Sequence, residues 1–334
     1  MNLESIARRC GVSRSTVSRV INHSPNVSPE VRERVMKVVR ETNFQPNMAA
    51  RGLAAGASRI LGLVIPQPVA QFFVDPYFPL LIQGISAACT SHDYAMMLWL
   101  VEPEQERRIA RQILHAGLID GVVMTSQQVD DPLIDAMLER NFPFVMIGRA
   151  VNERPVTWVD VDNIEAVCRA VTHLTQMGRR RIATITGSLM LISSRDRLTG
   201  YQLALQAAGL PINPELIIES NYQIEGGYVA MQTLLAHQPD AVFCASDAMA
   251  QGAMRAITEA GLSIPQDVAV VGFDDMPFAA HLKPPLTTVR QPVQRLGETA
   301  VDLLIQRLKQ PSDSQPTVKT LTTELIIRSS CGAQ

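Results

Sequence analysis

The sequence predicts an α/β protein, with an N-terminal helix-turn-helix head and a two-lobed, doubly wound body. Three observations carry this. After residue 59, short apolar runs alternate with amphipathic stretches of helical period, a βαβ series. Several of those runs are continuous rather than alternating, as buried parallel strands are. Charge is divided along the chain: residues 1–59 hold ten Lys/Arg and four Asp/Glu, net +6, and the remainder holds 20 and 28, net −8. A basic head on an acidic body points to nucleic acid or another anionic partner for the head. A chain of 334 residues has room for two or three domains.

In the head, Leu3–Cys10 reads as a helix with Leu3, Ile6, Ala7 and Cys10 on one face, ended by Gly11. Ser13 is placed to cap a second helix running to about Asn22, with Val17, Val20 and Ile21 inward. Two short helices joined by a Gly-containing turn describe a helix-turn-helix. Ser28 and Pro29 start a third helix that reaches about Thr42, with Val31, Val35, Val38 and Val39 as its apolar stripe. The outward residues of the second helix are Arg14, Ser15, Ser18, Arg19 and Asn22, and no acid occurs between Gly11 and Pro29. That composition suits a helix entering the major groove, where Arg14 could take a guanine edge. A small bundle with a solvated polar face is the alternative.

Phe44–Gly56, FQPNMAARGLAAG, joins head and body. Pro46 and Asn47 start a short Ala-rich helix whose one large apolar residue is Leu53. About eight residues are too few to hold a helix alone, since roughly 12–15 are needed. Leu53 could pack on the body as part of an ordinary linker, or could wedge into a base step.

In the body, strands are expected at Ile60–Ile65, Tyr94–Val101, Gly121–Thr125, Phe144–Ile147, Ile182–Thr186, Ala241–Ala245 and Val268–Phe273. Helices are expected at Pro79–His92, Glu104–His115, Asp131–Arg140, Asn163–Met177, Arg197–Ala208, Ile224–Ala236, Asp247–Ala260 and Val293–Lys309. Ligands in doubly wound folds sit at the carboxyl ends of the strands. The residues there are Phe72, Phe73, Asp75, Tyr77 and Phe78; Ser126 and Gln127; Asp160 and Asp162; Ser193, Arg195 and Arg197; Tyr222; Ser246 and Asp247; Asp274 and Asp275. Carboxylates, Arg and aromatic faces together suit a hydroxyl-rich ligand. Asp247 is equally well placed as an N-cap.

No G-x-S-x-G, P-loop, G-x-G-x-x-G or H-E-x-x-H occurs, and the six His make no ligand spacing. An enzyme is not expected, and no cofactor or metal. The five Cys are scattered with no C-x-x-C, the N-terminus has no apolar signal core, and no 18-residue apolar run exists. A cytoplasmic protein with no membrane span is expected.

IARRCGVSRSTVSRVIN, VSPEVRERV and NFQPNMAARGLA resemble the head of the lactose-repressor/galactose-repressor (LacI/GalR) family of transcription regulators. In the body SRDRLTGYQLAL, CASDAMAQGAMRAITEAGLSIPQDVAVVGFDD and PPLTTVRQP resemble the same family and, through it, two-lobed periplasmic sugar-binding proteins. The resemblance implies a repressor that binds a pseudo-palindromic operator in double-stranded DNA as a homodimer. It implies operator contacts by Ser13, Arg14, Ser15, Thr16, Ser18, Arg19 and Asn22, and by Asn47, Ala50, Leu53 and Ala54 of a hinge helix that forms in the minor groove. Many relatives have Lys where Ala54 stands. It further implies a small effector (a sugar, sugar phosphate or nucleoside) held by Phe72, Asp75, Tyr77, Phe78, Arg197, Tyr222, Ser246 and Asp274. Many sugar-responsive relatives have Asn at the place of Ser246. The expected domains are a head over 1–45, a hinge helix and linker over 46–58 and a body over 59–334. The body's lobes are about 59–157 with 289–321, and 162–285 with 325–330, joined by three crossovers. No Leu heptad follows Ile327, so no tetramerising coil is expected.

Overall fold

The computed structural model describes residues 2–21, 24–42, 44, 57–66, 69–101, 117–125, 132–150, 155–310 and 315–333. The chain divides into two compact units, Met1–Ser58 and Arg59–Gln334.

Among the described residues, the first unit holds three helices, α1 (Leu3–Cys10), α2 (Arg14–Ile21) and α3 (Pro29–Glu41). Asn2 and Ser5 form a reciprocal capping box at the start of α1. Gly11 ends it with φ +63°, a left-handed conformation that glycine takes without strain. Ser13 Oγ accepts the Thr16 N–H at 3.1 Å and so caps α2. Ser28 Oγ accepts the Val31 N–H at 3.5 Å, with Pro29 at the first helical position. Ile6, Ala7, Cys10, Val17, Val20 and Val35 are buried together, the expected inward faces. Val31, Val38 and Val39 are only half-buried against them.

The second unit contains two six-stranded sheets. The first is built from β1 (Ile60–Ile65), β2 (Ala95–Leu100), β3 (Gly121–Met124), β4 (Phe144–Ile147), β5 (Trp158–Val161) and β11 (Val318–Leu321), in the order β11-β5-β4-β3-β1-β2. The second is built from β6 (Ile182–Thr186), β7 (Ile217–Glu219), β8 (Ala241–Cys244), β9 (Ala269–Asp274), β10 (Thr287–Arg290) and β12 (Glu324–Ile326), in the order β12-β10-β9-β8-β6-β7. All pairings are parallel except β10 with β12. Each sheet repeats the doubly wound order 2-1-3-4-5, which puts its switch point beside its first strand. β1, β3 and β4 are almost wholly buried, as are β6, β8 and β9, as their continuous apolar runs require.

The α-helices among the described residues are α4 (Val69–Val74), α5 (Tyr77–Ser91), α6 (Pro132–Glu139), α7 (Asn163–Gln176), α8 (Ile192–Ala207), α9 (Ile224–Leu235), α10 (Asp247–Glu259) and α11 (Val293–Lys309). α5 and α11 cover the first sheet at close range: a Cβ on Gly84 would collide with the Gln294 backbone. The chain passes between the sheets three times, from β5 to α7, from β10 to α11 and from β11 to β12. The expected helix Glu104–His115 lies outside the described residues. α4 was not expected, and α8 begins at Ile192, five residues before the expected start. The reason is burial. Ser193, Ser194, Asp196 and Arg197 are all buried, so this turn has polar residues where a surface helix would have apolar ones. Among the described residues, no helix is long and apolar enough to cross a membrane.

Candidate functional site

α2 presents its polar side to solvent. Ser13, Arg14, Ser15 and Arg19 are exposed, and Thr16 and Ser18 are half-buried. Ser13 Oγ shares hydrogen bonds with Ser15 Oγ at 2.7 Å and Thr16 Oγ1 at 2.8 Å, which fixes three short hydroxyls at the helix N-terminus. Backbone N–H groups and hydroxyls at such an end, with no carboxylate in the first turn, form an anion-accepting surface. Asn22, Asn47, Ala50, Leu53 and Ala54 lie outside the described residues.

In the second unit, a cavity of about 450 Å³ lies at the carboxyl ends of both sheets. Its wall from the first sheet includes Pro66 after β1, Thr125 after β3, Asp160 on β5, and Val74, Asp75, Tyr77 and Phe78 around α4 and α5. Its wall from the second includes Ser193 and Arg197 on α8, Asn221–Ile224 before α9, Ser246 and Gln251 at α10, and Asp274 and Phe278 after β9. Gln291, on the crossover after β10, completes it.

Arg197 is the hub. Its guanidinium lies over the Phe273 ring, 3.7 Å from the centroid. Nε donates to Asn163 Oδ1 at 2.9 Å and Nη1 to the Ala245 carbonyl at 2.5 Å. Asp274 Oδ1 is 4.0 Å from Nη1 and accepts from Gln291 Nε2 at 2.5 Å. Asp160 accepts N–H bonds from Val161 at 2.7 Å and Arg149 at 2.9 Å. Asp75 accepts the Tyr77 N–H at 2.9 Å.

Burial raises these acids above the usual carboxylate range. It pushes Asp274 up to about 7, with Arg197 working against it and Asp75 with it. It pushes Asp160 up to about 6, against the N–H bonds from Val161 and Arg149. Burial raises Asp75 as well, opposed by the Tyr77 N–H and Arg197. The Tyr77 phenol is raised by burial and then by Asp160 and Asp274. Two wall residues are conformationally strained: Asp274 has φ +114° and Tyr222 has φ +64°. Tyr222 packs against Gly187, where a Cβ would come within 2.0 Å of its ring, and its Oη hydrogen-bonds Ser194 Oγ at 2.6 Å.

Of the eight residues expected to hold an effector, Asp75, Tyr77, Phe78, Arg197, Tyr222, Ser246 and Asp274 line this one cavity. Phe72 does not: it is buried in the core, its ring 5.5 Å from that of Phe78. The adjacent acids are separated by the fold. Asp160 lines the cavity while Asp162 caps α7 through the Glu165 N–H at 2.9 Å. Asp275 turns away to Arg290 at 2.7 Å and Arg328 at 2.6 Å. Ser246 is the N-cap of α10, and Asp247 is its first helical residue. The Asp247 carboxylate accepts the Met276 N–H at 2.7 Å and the Thr288 hydroxyl at 2.5 Å. Burial and the nearby Asp274 raise its pKa well above the usual range. Ser126 and Gln127 lie outside the described residues. The amides Asn221, Gln223, Gln251 and Gln291 were missed, because neutral amides give no charge signal and come from three separate places on the chain.

Residues 2–47 match the model of bacterial regulatory proteins of the lacI family, and residues 171–331 match a periplasmic binding protein-like domain. The chain is 36% identical to the HTH-type transcriptional regulator CelR of Thermobifida fusca, over 98% of this chain and 97% of that one. Among solved structures, a transcriptional regulator CelR–cellobiose complex matches with TM-score 0.78 and 34% identity, covering 99% of each chain. A lac repressor dimer bound to operator and the anti-inducer ONPF matches with TM-score 0.89 and 28% identity, covering 100% of this chain and 99% of that one. A DNA-reading head and a two-sheet body of this kind, matched along nearly their whole length, make this chain a member of the lacI family of bacterial regulatory proteins.

Proposed function

We propose that the protein is a transcriptional repressor that binds a pseudo-palindromic operator as a homodimer and is controlled by a small sugar-like effector in the cavity at Arg197. The observation that carries this is a single cavity walled by both sheets, at the carboxyl ends of their strands, in a chain whose head is a helix-turn-helix. One recognition helix reads too few bases alone, so two-fold pairing on two half-sites is needed. The head, 1–45, would read the operator through Ser13, Arg14, Ser15, Thr16, Ser18, Arg19 and Asn22. The joint, 46–58, would add Asn47, Ala50, Leu53 and Ala54 in the minor groove. The body, 59–334, would hold the effector through Asp75, Tyr77, Phe78, Arg197, Tyr222, Ser246 and Asp274.

The CelR structure contains cellobiose, which supports a carbohydrate in the corresponding cleft here. Aromatic rings from both sides and acceptor-rich carboxylates and amides fit the apolar faces and hydroxyl rims of sugar rings. A ligand touching both walls favours one arrangement of the lobes over another. Its differential affinity for the two arrangements then changes operator affinity, typically by 1–3 kcal/mol.

The deciding experiment is a gel shift of the full-length protein on genomic fragments around its own gene, with and without candidate sugars. Sequence-specific retardation altered by a sugar supports the proposal. Retardation indifferent to every effector removes the regulatory half, and absence of retardation removes the rest.

A further inference from the structure

We infer that Asp75 and Asp160 act as a charge filter, so that the cavity accepts uncharged glycosides and rejects their phosphorylated or carboxylated counterparts. This rests on reading the cavity as the effector site and narrows the class of ligand it takes.

The argument begins with charge. Three carboxylates, Asp75, Asp160 and Asp274, line the cavity, and among the described residues Arg197 is the only cation there. Ionised, they leave two negative charges in excess. That cation is also partly committed, with its Nε edge turned to Asn163. Two of the three Arg197 nitrogens already donate, to Asn163 and Ala245, and the guanidinium face is covered by Phe273. Phosphate and carboxylate recognition by Arg depends on two parallel N–H groups being offered together.

Hydrogen-bond valence points the same way. An ionised carboxylate only accepts, so any lone pair it leaves open to the cavity favours a donor from the ligand. Sugar hydroxyls donate, whereas phosphate dianions and carboxylates offer acceptors to acceptors. The Asp160 carboxylate cannot swing aside to relieve such a clash, because the Val161 and Arg149 backbone N–H groups hold its two oxygens at 2.7 and 2.9 Å. Asp75 is likewise held by the Tyr77 N–H at 2.9 Å. Burial is the first cause of the raised pKa values of these acids, and Arg197 offsets it only in part. Asp274 is set apart from the pair because Gln291 and Arg197 already answer it. Selectivity of this kind comes from a built-in repulsion against the wrong ligand rather than from added attraction to the right one.

The test uses matched pairs that differ in charge: glucose with glucose 6-phosphate, ribose with ribose 5-phosphate, cellobiose with cellobionate, and adenosine with AMP. Thermal unfolding of the full-length protein is followed with each at equal concentration, and any binder is titrated calorimetrically. In a pair that binds, the uncharged member should raise the midpoint by roughly 5 °C or more once well above its dissociation constant. Its charged partner should bind at least about tenfold more weakly. The double variant Asp75→Asn, Asp160→Asn should shrink that ratio at least about tenfold, even where it weakens both ligands. Equal or tighter binding of a charged member would overturn the filter while leaving the cavity as the effector site. An unchanged ratio in the double variant would acquit these two residues and overturn it too. If no member of any pair shifts the midpoint, the effector reading falls and the filter with it.

Discussion

Arg149, just after β4, holds Asp196, in the first turns of α8, through two hydrogen bonds across the cleft: Nε to Oδ2 at 3.0 Å and Nη2 to Oδ1 at 2.7 Å. The same Arg149 donates its backbone N–H to Asp160 on the cavity wall, and Asp196 is the chain neighbour of Arg197. One residue therefore ties the first sheet to the second lobe and touches the wall of the ligand cavity. Its guanidinium is partly exposed, with 41% of the side chain accessible, so solvent weakens the pair. A double-mutant cycle of Arg149→Ala and Asp196→Ala in thermal unfolding should give a coupling of about 1 kcal/mol. The exchanged pair, Arg149→Asp with Asp196→Arg, should recover part of the loss. A coupling of zero would mean that the two lobes are held by other contacts.

The buried acids set the pH dependence of the body. In the unfolded chain a carboxyl loses its proton near pH 4, at roughly 3.9 for Asp. In the fold, Asp160 and Asp274 keep theirs until about 6 and about 7. The folded state binds more protons between these values, so this contribution to stability is full below about pH 4 and is lost as pH rises to about 7. Asp160 alone is worth on the order of 2–3 kcal/mol across that window. Urea midpoints of Asp160→Asn should fall less steeply from pH 5 to pH 7.5 than those of the parent, whatever the absolute loss. An unchanged slope would contradict a raised Asp160.

Gly187 is a packing site whose loss should register at the ligand. A methyl group there occupies the space of the Tyr222 ring, so Gly187→Ala must push the ring off its seat and away from Ser194. Overpacking of this kind costs about 1–3 kcal/mol. The variant should retain operator binding without ligand and lose most of its sugar-induced thermal shift.

Arg197→Ala removes the hub of the cavity, taking the donors from Asn163 Oδ1 and the Ala245 carbonyl and the positive charge from beside Asp274. It should destabilise the body by about 3–5 kcal/mol, as breaking a buried pair does. Effector response should vanish while a gel shift at low temperature still shows operator binding. Survival of a normal response would remove Arg197 from the site.

Arg14 is exposed at the first position of α2. Arg14→Ala should relax base preference at one position in each half-site, at about 1–3 kcal/mol, in a selection from random operators. Arg19→Ala, read as a phosphate contact, should instead weaken all sequences alike and flatten the salt dependence.

Most of this architecture is legible in the chain, for a physical reason. A strand buried on both faces must be apolar throughout, so β1, β4 and β6 begin and end where their apolar runs do. Caps are local as well: Ser13 and Ser28 act as N-caps where their positions indicate, whereas α10 is capped by Ser246 and not by Asp247. Edge strands are harder to read. β7, β11 and β12 are short and half-exposed, so burial leaves little pattern in them. The cavity was legible where it used charge or aromatic rings, as at Arg197, Asp274 and Tyr222. It was not where it used amides, or where a residue acts through a distant partner, as Arg149 does with Asp196. Phe72 was misplaced because an aromatic following a strand can turn inward as easily as into a cleft, and only tertiary packing decides.

The last two strands have a consequence for how the protein is made. β11 finishes one sheet and β12 the other, and only two residues separate them. The first sheet lacks a strand until residue 321 has been synthesised and the second until residue 326, although α3 of the head ends at Glu41. During translation the head's helices can therefore form long before the two sheets of the body are complete. A cut that removed the chain after Lys309 would take an edge strand from both sheets at once.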